Sequence, residues 1–128
     1  MQANLKANRN RTFVHAEIGF FELWWRDQTE TVKKTVRGLV QAGQLEFVSG
    51  GWISSDEACP VFTELIENMK VGHDFLYREF GLPPPKIAWH MDAFGHSATT
   101  ARMFTEVGFD AFFFSRMNQT QKNELKET

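Results

Sequence analysis

Within nine consecutive positions, Trp89-His90-Met91-Asp92-Ala93-Phe94-Gly95-His96-Ser97, the chain gathers a carboxylate, two imidazoles, two aromatic rings and a glycine. The apolar residues Ile87 and Ala88 lead into it. This is the composition of a strand ending in a site loop, and in parallel α/β folds strand ends are where chemistry sits. Two other predicted strands end in comparable segments. One runs into Gly50-Gly51-Trp52-Ile53-Ser54-Ser55-Asp56-Glu57, the other into Arg116. If the strands are parallel, these ends share one rim, which then collects the carboxylates Asp56, Glu57 and Asp92, the cation Arg116 and the ring faces of Trp52 and Phe94. Such a mixture suits sugars: carboxylates grip hydroxyl pairs and apolar sugar faces meet aromatic planes. Glycosidase chemistry in addition needs two carboxyl groups flanking one bond.

Each of these residues also has a plainer role open to it. Asp92 could cap a helix, and His96 could bond a backbone carbonyl. Gly50-Gly51 could be only a turn and Trp52 only core. Asp56 and Glu57 could serve the N-terminus of the long helix that follows, where carboxylates are favourable. Arg116 could simply end a strand, although a cation beside Asp92 would keep that carboxylate ionised. His15 and His73 lack partner spacing and are expected to be structural, and His90 points either into the sheet interior or toward its helical face. No complete metal set is evident: there is no His-Glu-x-x-His, no Cys pair, and His90, Asp92 and His96 have no recognised ligand spacing.

The elements that must position these groups follow from periodicity and punctuation. Thr12 to Ala16 is predicted as a short buried strand and Phe20 to Arg26 as a helix. A helix opening at Gln28 or Thr29 places Val32, Val36, Leu39 and Val40 on one face, turns Lys33, Lys34 and Arg37 outward, and ends at Gly43. Leu45 to Ser49 is a second strand. Val61 to Phe80 is the strongest helix, with Phe62, Leu65, Ile66, Met69, Leu76 and Phe80 at three- and four-residue steps. Gly81 and Pro83-Pro84-Pro85 stop it. Lys86 to Trp89 is a third strand, Thr99 or Thr100 to Val107 a short helix, and Ala111 to Ser115 a fourth strand, apolar on both faces and hence expected to be fully buried. The alternation predicts an α/β chain, a parallel sheet with crossover helices. It could be a small open sheet or four units of a larger barrel. Residues 1–11 and 118–128 are polar flanks around the folded unit 12–117.

The bulk numbers are those of a globular domain: 128 residues, 42% hydrophobic, 23% charged. A net charge of −2 gives no case for nucleic acid or an anionic membrane. No run approaches the roughly 18 apolar residues that span a bilayer, and the polar first ten residues lack the apolar stretch of a signal peptide. Cys59, the single cysteine, excludes an internal disulfide. The outlier is aromatic content, 13 Phe and 4 Trp against one Tyr, which must line a core or a concave surface. Asn10-Arg11-Thr12 and Asn118-Gln119-Thr120 match the sequon pattern, which is short enough to recur by chance.

The nine residues around Asp92 resemble the nucleophile motif of the glycoside hydrolase family 38 α-mannosidases. Three further segments fit in the same order: Glu17-Ile18-Gly19-Phe20-Phe21 with Trp24-Trp25; Leu45-Glu46-Phe47 through Gly50-Gly51-Trp52 to Asp56-Glu57-Ala58; and Gly108-Phe109-Asp110-Ala111-Phe112-Phe113-Phe114 with Arg116. The likeness runs from about Thr12 to about Met117 and is closest to the lysosomal branch. It implies part of the irregular (β/α) barrel of that family's N-terminal catalytic domain, a retaining hydrolase of terminal α-D-mannose residues with one zinc ion and a lysosomal location. By the same resemblance Asp92 is nucleophile and zinc ligand, Phe94 lines the sugar pocket, Arg116 sits beside the nucleophile, and the partner is a mannose-containing glycan. The family's other zinc ligands, a His-x-Asp segment and a later His, and its general acid would lie outside these residues. The rest of the catalytic domain is therefore expected to be missing, and the chain alone to be inactive. Ala93 stands where the family usually has Pro. Two alternatives remain at this point: a non-catalytic carbohydrate-binding remnant using Trp52, Phe94 and the carboxylates, and a deacetylase-like hydrolase, which would need a complete metal triad within this chain.

Overall fold

The computed structural model describes residues 2–58, 61–92 and 95–126; Cys59, Ala93 and Phe94 lie outside the described residues. The element order is α1 (Gln2–Ala7), β1 (Phe13–His15), α2 (Ile18–Trp25), α3 (Glu30–Gln41), β2 (Leu45–Phe47), α4 (Phe62–Phe80), β3 (Ile87–His90), α5 (Ala98–Val107), β4 (Ala111–Phe114) and α6 (Gln119–Lys126). β1 pairs with β2 in parallel, Phe13 opposite Leu45, and β3 pairs with β4 in parallel, Ile87 opposite Ala111. The chain is thus a mixed α/β fold built on two short parallel pairs.

Among the described residues, hydrogen bonds from Ser49 join the two pairs. Ser49, just past β2, has φ 54°, a left-handed conformation uncommon for a residue with a Cβ. There the backbone leaves the ladder and the side chain takes over. Ser49 N–H donates to the Ile87 carbonyl at 2.7 Å. Its hydroxyl donates to the Trp89 carbonyl at 3.0 Å and accepts from Trp89 N–H at 2.6 Å. This polar stitch sets β3, and the loop beyond it, against the end of β2.

Local signals account for the helices. Thr29 caps α3, its hydroxyl accepting from Val32 N–H at 3.4 Å, and Ser97 caps α5, accepting from Thr100 N–H at 3.1 Å. Gly81 and Gly108 end α4 and α5 with φ of 68° and 105°. Packing forms two apolar clusters. Ile18, Phe21, Trp25, Val36, Leu39, Leu45, Phe47, Phe75 and Leu76 join α2, α3, β2 and α4. Met69, Ala88, Phe104 and Phe109 lie beneath the second strand pair.

Several expectations are corrected. The polar start is helical in α1, and its Leu5 is buried in the larger cluster. Gln44 holds it there: the buried side-chain amide lies 3.0 to 3.1 Å from the carbonyls of Leu5, Asn8 and Arg11. Phe62 and Ile66 of α4 are exposed, and the buried face is Leu65, Met69, Gly72, Phe75 and Leu76. β1 and β4 are not buried as predicted: Phe13 and Val14, and Phe113 and Phe114, are exposed, because no described element covers them. The polar tail contains α6. No helix among the described residues is long and apolar enough to cross a membrane.

Lys33 and Arg37 do not simply turn outward. Their cationic heads lie 5.6 and 5.2 Å from the Trp25 ring centroid, within cation–π range. Arg37 Nε also donates to the Glu79 carbonyl at 3.0 Å, while Trp25 Nε1 donates to the Glu79 carboxylate at 3.0 Å. Partial burial pushes the Glu79 carboxyl up, but the Trp25 and Arg78 hydrogen bonds and the charges of Arg78 and Arg37 outweigh it and hold the group below its ordinary value. A carboxyl depressed on folding contributes stability that is present above its unfolded value and lost as pH falls through the folded one. Glu30, 3.8 Å from Arg37, shares that cation and moderates the effect. Glu79→Gln is therefore expected to cost up to about 1 kcal/mol at neutral pH. The deficit should shrink as pH falls below the carboxyl's ordinary 4.5. Urea melts of parent and variant at neutral and acid pH check this; a deficit independent of pH would show that the charge is immaterial.

Candidate functional site

Three loops build the rim that the sequence pointed to. The loop after β2 is fixed from both sides. Its Gly51 and Trp52 carbonyls accept from Ile18 and Gly19 N–H at 3.0 and 2.7 Å, and Trp52 N–H donates to the Asn68 carbonyl at 3.0 Å. The Asn68 amide closes a pair of 2.9 Å bonds with the Ile53 backbone. Glu17 Oε1 then accepts from Ser54 N–H at 3.0 Å and from its hydroxyl at 2.9 Å. These bonds place Ser55, Asp56 and Glu57. The loops after β3 and β4 are tied together where Ser115 Oγ donates to the Met91 carbonyl at 3.2 Å.

Asp92 is exposed, two residues beyond β3, and Arg116 is exposed, two residues beyond β4. Arg116 lines an open cleft of about 620 Å³ together with His96, Ser97, Phe112 and Phe114. Asp92 is not among the residues lining that cleft. Phe94, expected in a sugar pocket, lies outside the described residues.

Trp52 is not a free platform. It packs half-buried against the larger apolar cluster, its ring 6.5 Å from Phe75. Gly50-Gly51 is more than a turn, because α4 crosses it at backbone contact: a Cβ on Gly72 would lie 1.8 Å from the Gly50 carbonyl oxygen. Glu57 does not serve α4. Its two carboxylate oxygens lie 3.1 and 2.9 Å from Ser97 N–H, at the N-terminus of α5. Asp56 accepts from Ala58 N–H at 2.9 Å within its own turn. His15 and His73 bond the backbone carbonyls of Glu17 and Ser49 at 3.0 and 2.8 Å, structural roles as expected.

His90 closes β3 and is only 2% exposed, in the interior beneath the strand pair. Its ring lies 4.8 Å from that of His96, edge to face, and stacks 6.1 Å from Phe112. Burial lowers the His90 pKa below its ordinary value, and the neighbouring His96 lowers it further, against the opposing pull of Glu57, the Ser55 backbone and Asp56. Both ring nitrogens of His96 are shut off from solvent with no hydrogen-bond partner among the described residues.

Sequence spacing missed what this produces. One ligand atom from each of Glu57, His90 and His96 lies within 4.8 Å of the others, a candidate metal-binding group. Its members come from three elements, so no linear spacing could reveal it. The one available signal was the convergence of the segments after the second and third strands. Asp92 is not a member. The described residues therefore do not by themselves form the zinc set that the family resemblance implies around Asp92.

Comparison with known proteins adds an independent line. The family model described as the glycosyl hydrolases family 38 N-terminal domain matches residues 1–128. A lysosomal alpha-mannosidase of Dictyostelium discoideum is 50% identical over 114 residues, 89% of this chain and 11% of that protein. The lysosomal alpha-mannosidase of Bos taurus is 45% identical over 127 residues, 98% of this chain and 13% of that protein. An alpha-mannosidase of Arabidopsis thaliana is 42% identical over 127 residues, 98% of this chain and 12% of that protein. The chain thus spans about an eighth of the length of these relatives.

Proposed function

This chain belongs to glycosyl hydrolase family 38, within the family's N-terminal domain, and from that membership we propose that its strand-end loops are a segment of an α-mannosidase active site. The observation that carries the reading is the placement of Asp92 and Arg116, each exposed two residues past a strand of one parallel pair, on loops joined through Ser115 and Met91. Asp92 is the nucleophile: its carboxylate attacks the anomeric carbon of a terminal α-D-mannose residue as the glycosidic oxygen leaves, giving a covalent mannosyl–enzyme that water then resolves with retention. Arg116 sits beside the nucleophile and helps orient the sugar, and Phe94 offers a ring to its apolar face. Asp92 is also one ligand of the family's zinc, whose remaining ligands come from outside these residues; when bound, that ion supplies Lewis-acid polarisation of sugar oxygens. The exposed residues of β1 and β4 fit strands that further elements of an irregular (β/α) barrel would cover, 12–117 being part of its catalytic domain. The lysosome is the proposed location, by kinship with relatives that carry the word in their names.

The test is a graft. Replacing the matching segment of the Dictyostelium relative with this chain is expected to keep hydrolysis of an aryl α-mannoside. Asp92→Asn in the graft should lower kcat at least about a hundredfold, and a slow fluoromannosyl substrate should label Asp92. A folded graft that is unaffected by Asp92→Asn would overturn the assignment. The 128-residue chain alone is expected to show no turnover, since the general acid and the other zinc ligands implied by the family resemblance are not among the residues it matches.

A further inference from the structure

We propose that Glu57, His90 and His96 form a metal site of their own, separate from Asp92, that takes Zn²⁺ or a cation of similar preference. Each donor comes from a different piece of chain: Glu57 from the loop after β2, His90 from the end of β3, His96 from the approach to α5. One ligand atom from each lies within 4.8 Å of the others. Zinc bonds of about 2.0–2.2 Å to nitrogen and oxygen put tetrahedral donors about 3.4 Å apart, so no pair need close by more than about 1.4 Å. Side-chain rotation of Glu57 and His96 can supply that, since both belong to loops.

The donor chemistry is specific. Two imidazoles and one carboxylate make the set that suits zinc, where sulfur-free nitrogen and oxygen ligands are common. The His90 and His96 rings face each other edge to face at 4.8 Å. The His96 nitrogens are buried without a partner among the described residues, a desolvation cost that a bound cation would offset. A cation between the rings would give a His96 nitrogen a partner. Glu57 is not used up by its present role: among the described residues its two oxygens share the N–H donor of Ser97, and a carboxylate has about four acceptor positions. That contact also holds the ligand oxygen in orientation, as outer partners of metal ligands do. An occupied site would clip together the loop after β2, the end of β3 and the start of α5, which are the elements that place Asp92.

Titration of the full 128-residue chain with Co²⁺, read by the visible band of four-coordinate cobalt, and with Zn²⁺ by calorimetry, tests the site. One equivalent should bind with a Kd on the order of micromolar or tighter. His96→Gln and Glu57→Gln should each weaken binding at least tenfold, whereas Asp92→Asn should bind like the parent. Glu57→Gln retains an acceptor for Ser97 N–H, so it carries the test if the histidine variant fails to fold by circular dichroism. The proposal is overturned by an absence of binding, by binding that survives both Glu57→Gln and His96→Gln, or by binding lost with Asp92→Asn. None of these outcomes depends on turnover, so the graft experiment can fail or succeed independently.

Discussion

Gly72→Ala is expected to destabilise the chain by about 4 kcal/mol or more, enough to remove a cooperative unfolding transition. The added Cβ would sit 1.8 Å from the Gly50 carbonyl oxygen and 2.9 Å from the Gly50 and Gly51 carbonyl carbons. All of these are backbone atoms, so no rotamer relieves the clash. The loop cannot yield either: Gly50 has φ 74°, and a Cβ there would itself meet His73 and Pro85 at 2.8 and 2.9 Å. α4 must therefore lift away. Lifting it breaks the Trp52 to Asn68 bond, the Asn68 pair with Ile53 and the His73 bond to Ser49, each worth about 1 kcal/mol. The Glu57 end of the loop would lose its seat with them. Gly38→Ala is the matched control. Gly38 lies in α3 with nothing within 4 Å of an added Cβ, so there the substitution should stabilise by about 0.5–1 kcal/mol. Urea melts of the two variants should move in opposite directions. A Gly72→Ala chain as stable as the parent would mean that α4 does not cross the loop at backbone contact.

The contrast between these glycines marks what sequence can and cannot give. Helices announced themselves through caps and periodic apolar residues: Thr29, Gly43, Gly81 and Gly108 stand at or next to helix ends, whereas the helix expected from Thr99 or Thr100 begins at Ala98, capped by Ser97. Strand positions emerged from short apolar runs, and their parallel pairing from the crossover order. What periodicity could not say was which apolar residues another element would cover. Phe62 fits the helical pattern as well as Leu65, yet it is exposed because it lies in the first turn of α4, where nothing described packs on it. The fully apolar Ala111-Phe112-Phe113-Phe114 predicts burial on both faces, but the described residues cover only part of it.

The site was legible in a similar, partial way. Asp92 and Arg116 could be placed because a residue just past a parallel strand has a known address. The role of Glu57 could not, because its partner, Ser97 N–H, is 40 residues away in the chain. Trp52 could be sugar platform or core on sequence, and Gly19 leaves room for it in the core: a Cβ there would lie 2.8 Å from the Trp52 carbonyl oxygen and 3.1 Å from its indole nitrogen. A glycine that admits a tryptophan is a packing event between distant residues, invisible to any local pattern.

Phe21→Ala should cost about 3–5 kcal/mol, the usual range for removing a buried phenylalanine. Phe21 is 2% exposed and its ring is the hub of the larger cluster. It meets Phe47 edge-on at 5.1 Å, stacks on Trp25 at 5.6 Å and lies 5.5 Å from His15, 5.9 Å from Phe80 and 6.2 Å from Phe75. One side chain of α2 thus touches β1, β2 and α4, and no neighbour can collapse into the space without leaving another. Phe21→Leu should recover more than half of the loss, because it restores most of the volume but not the ring edges. Phe20, its neighbour in sequence, is 62% exposed, and Phe20→Ala should stay within about 0.5 kcal/mol of the parent. Denaturant melts rank the three. The consequence for the rim is separable from the loss of stability. The first turn of α2 holds the Gly51 and Trp52 carbonyls, and through them the chain leading to Glu57. Hydrogen exchange in Phe21→Ala should therefore quicken at the Ile18, Gly19 and Ser54 amides before it does in α5. Uniform quickening across the chain would mean that the two apolar clusters unfold as one unit and that α2 does not separately control the loop.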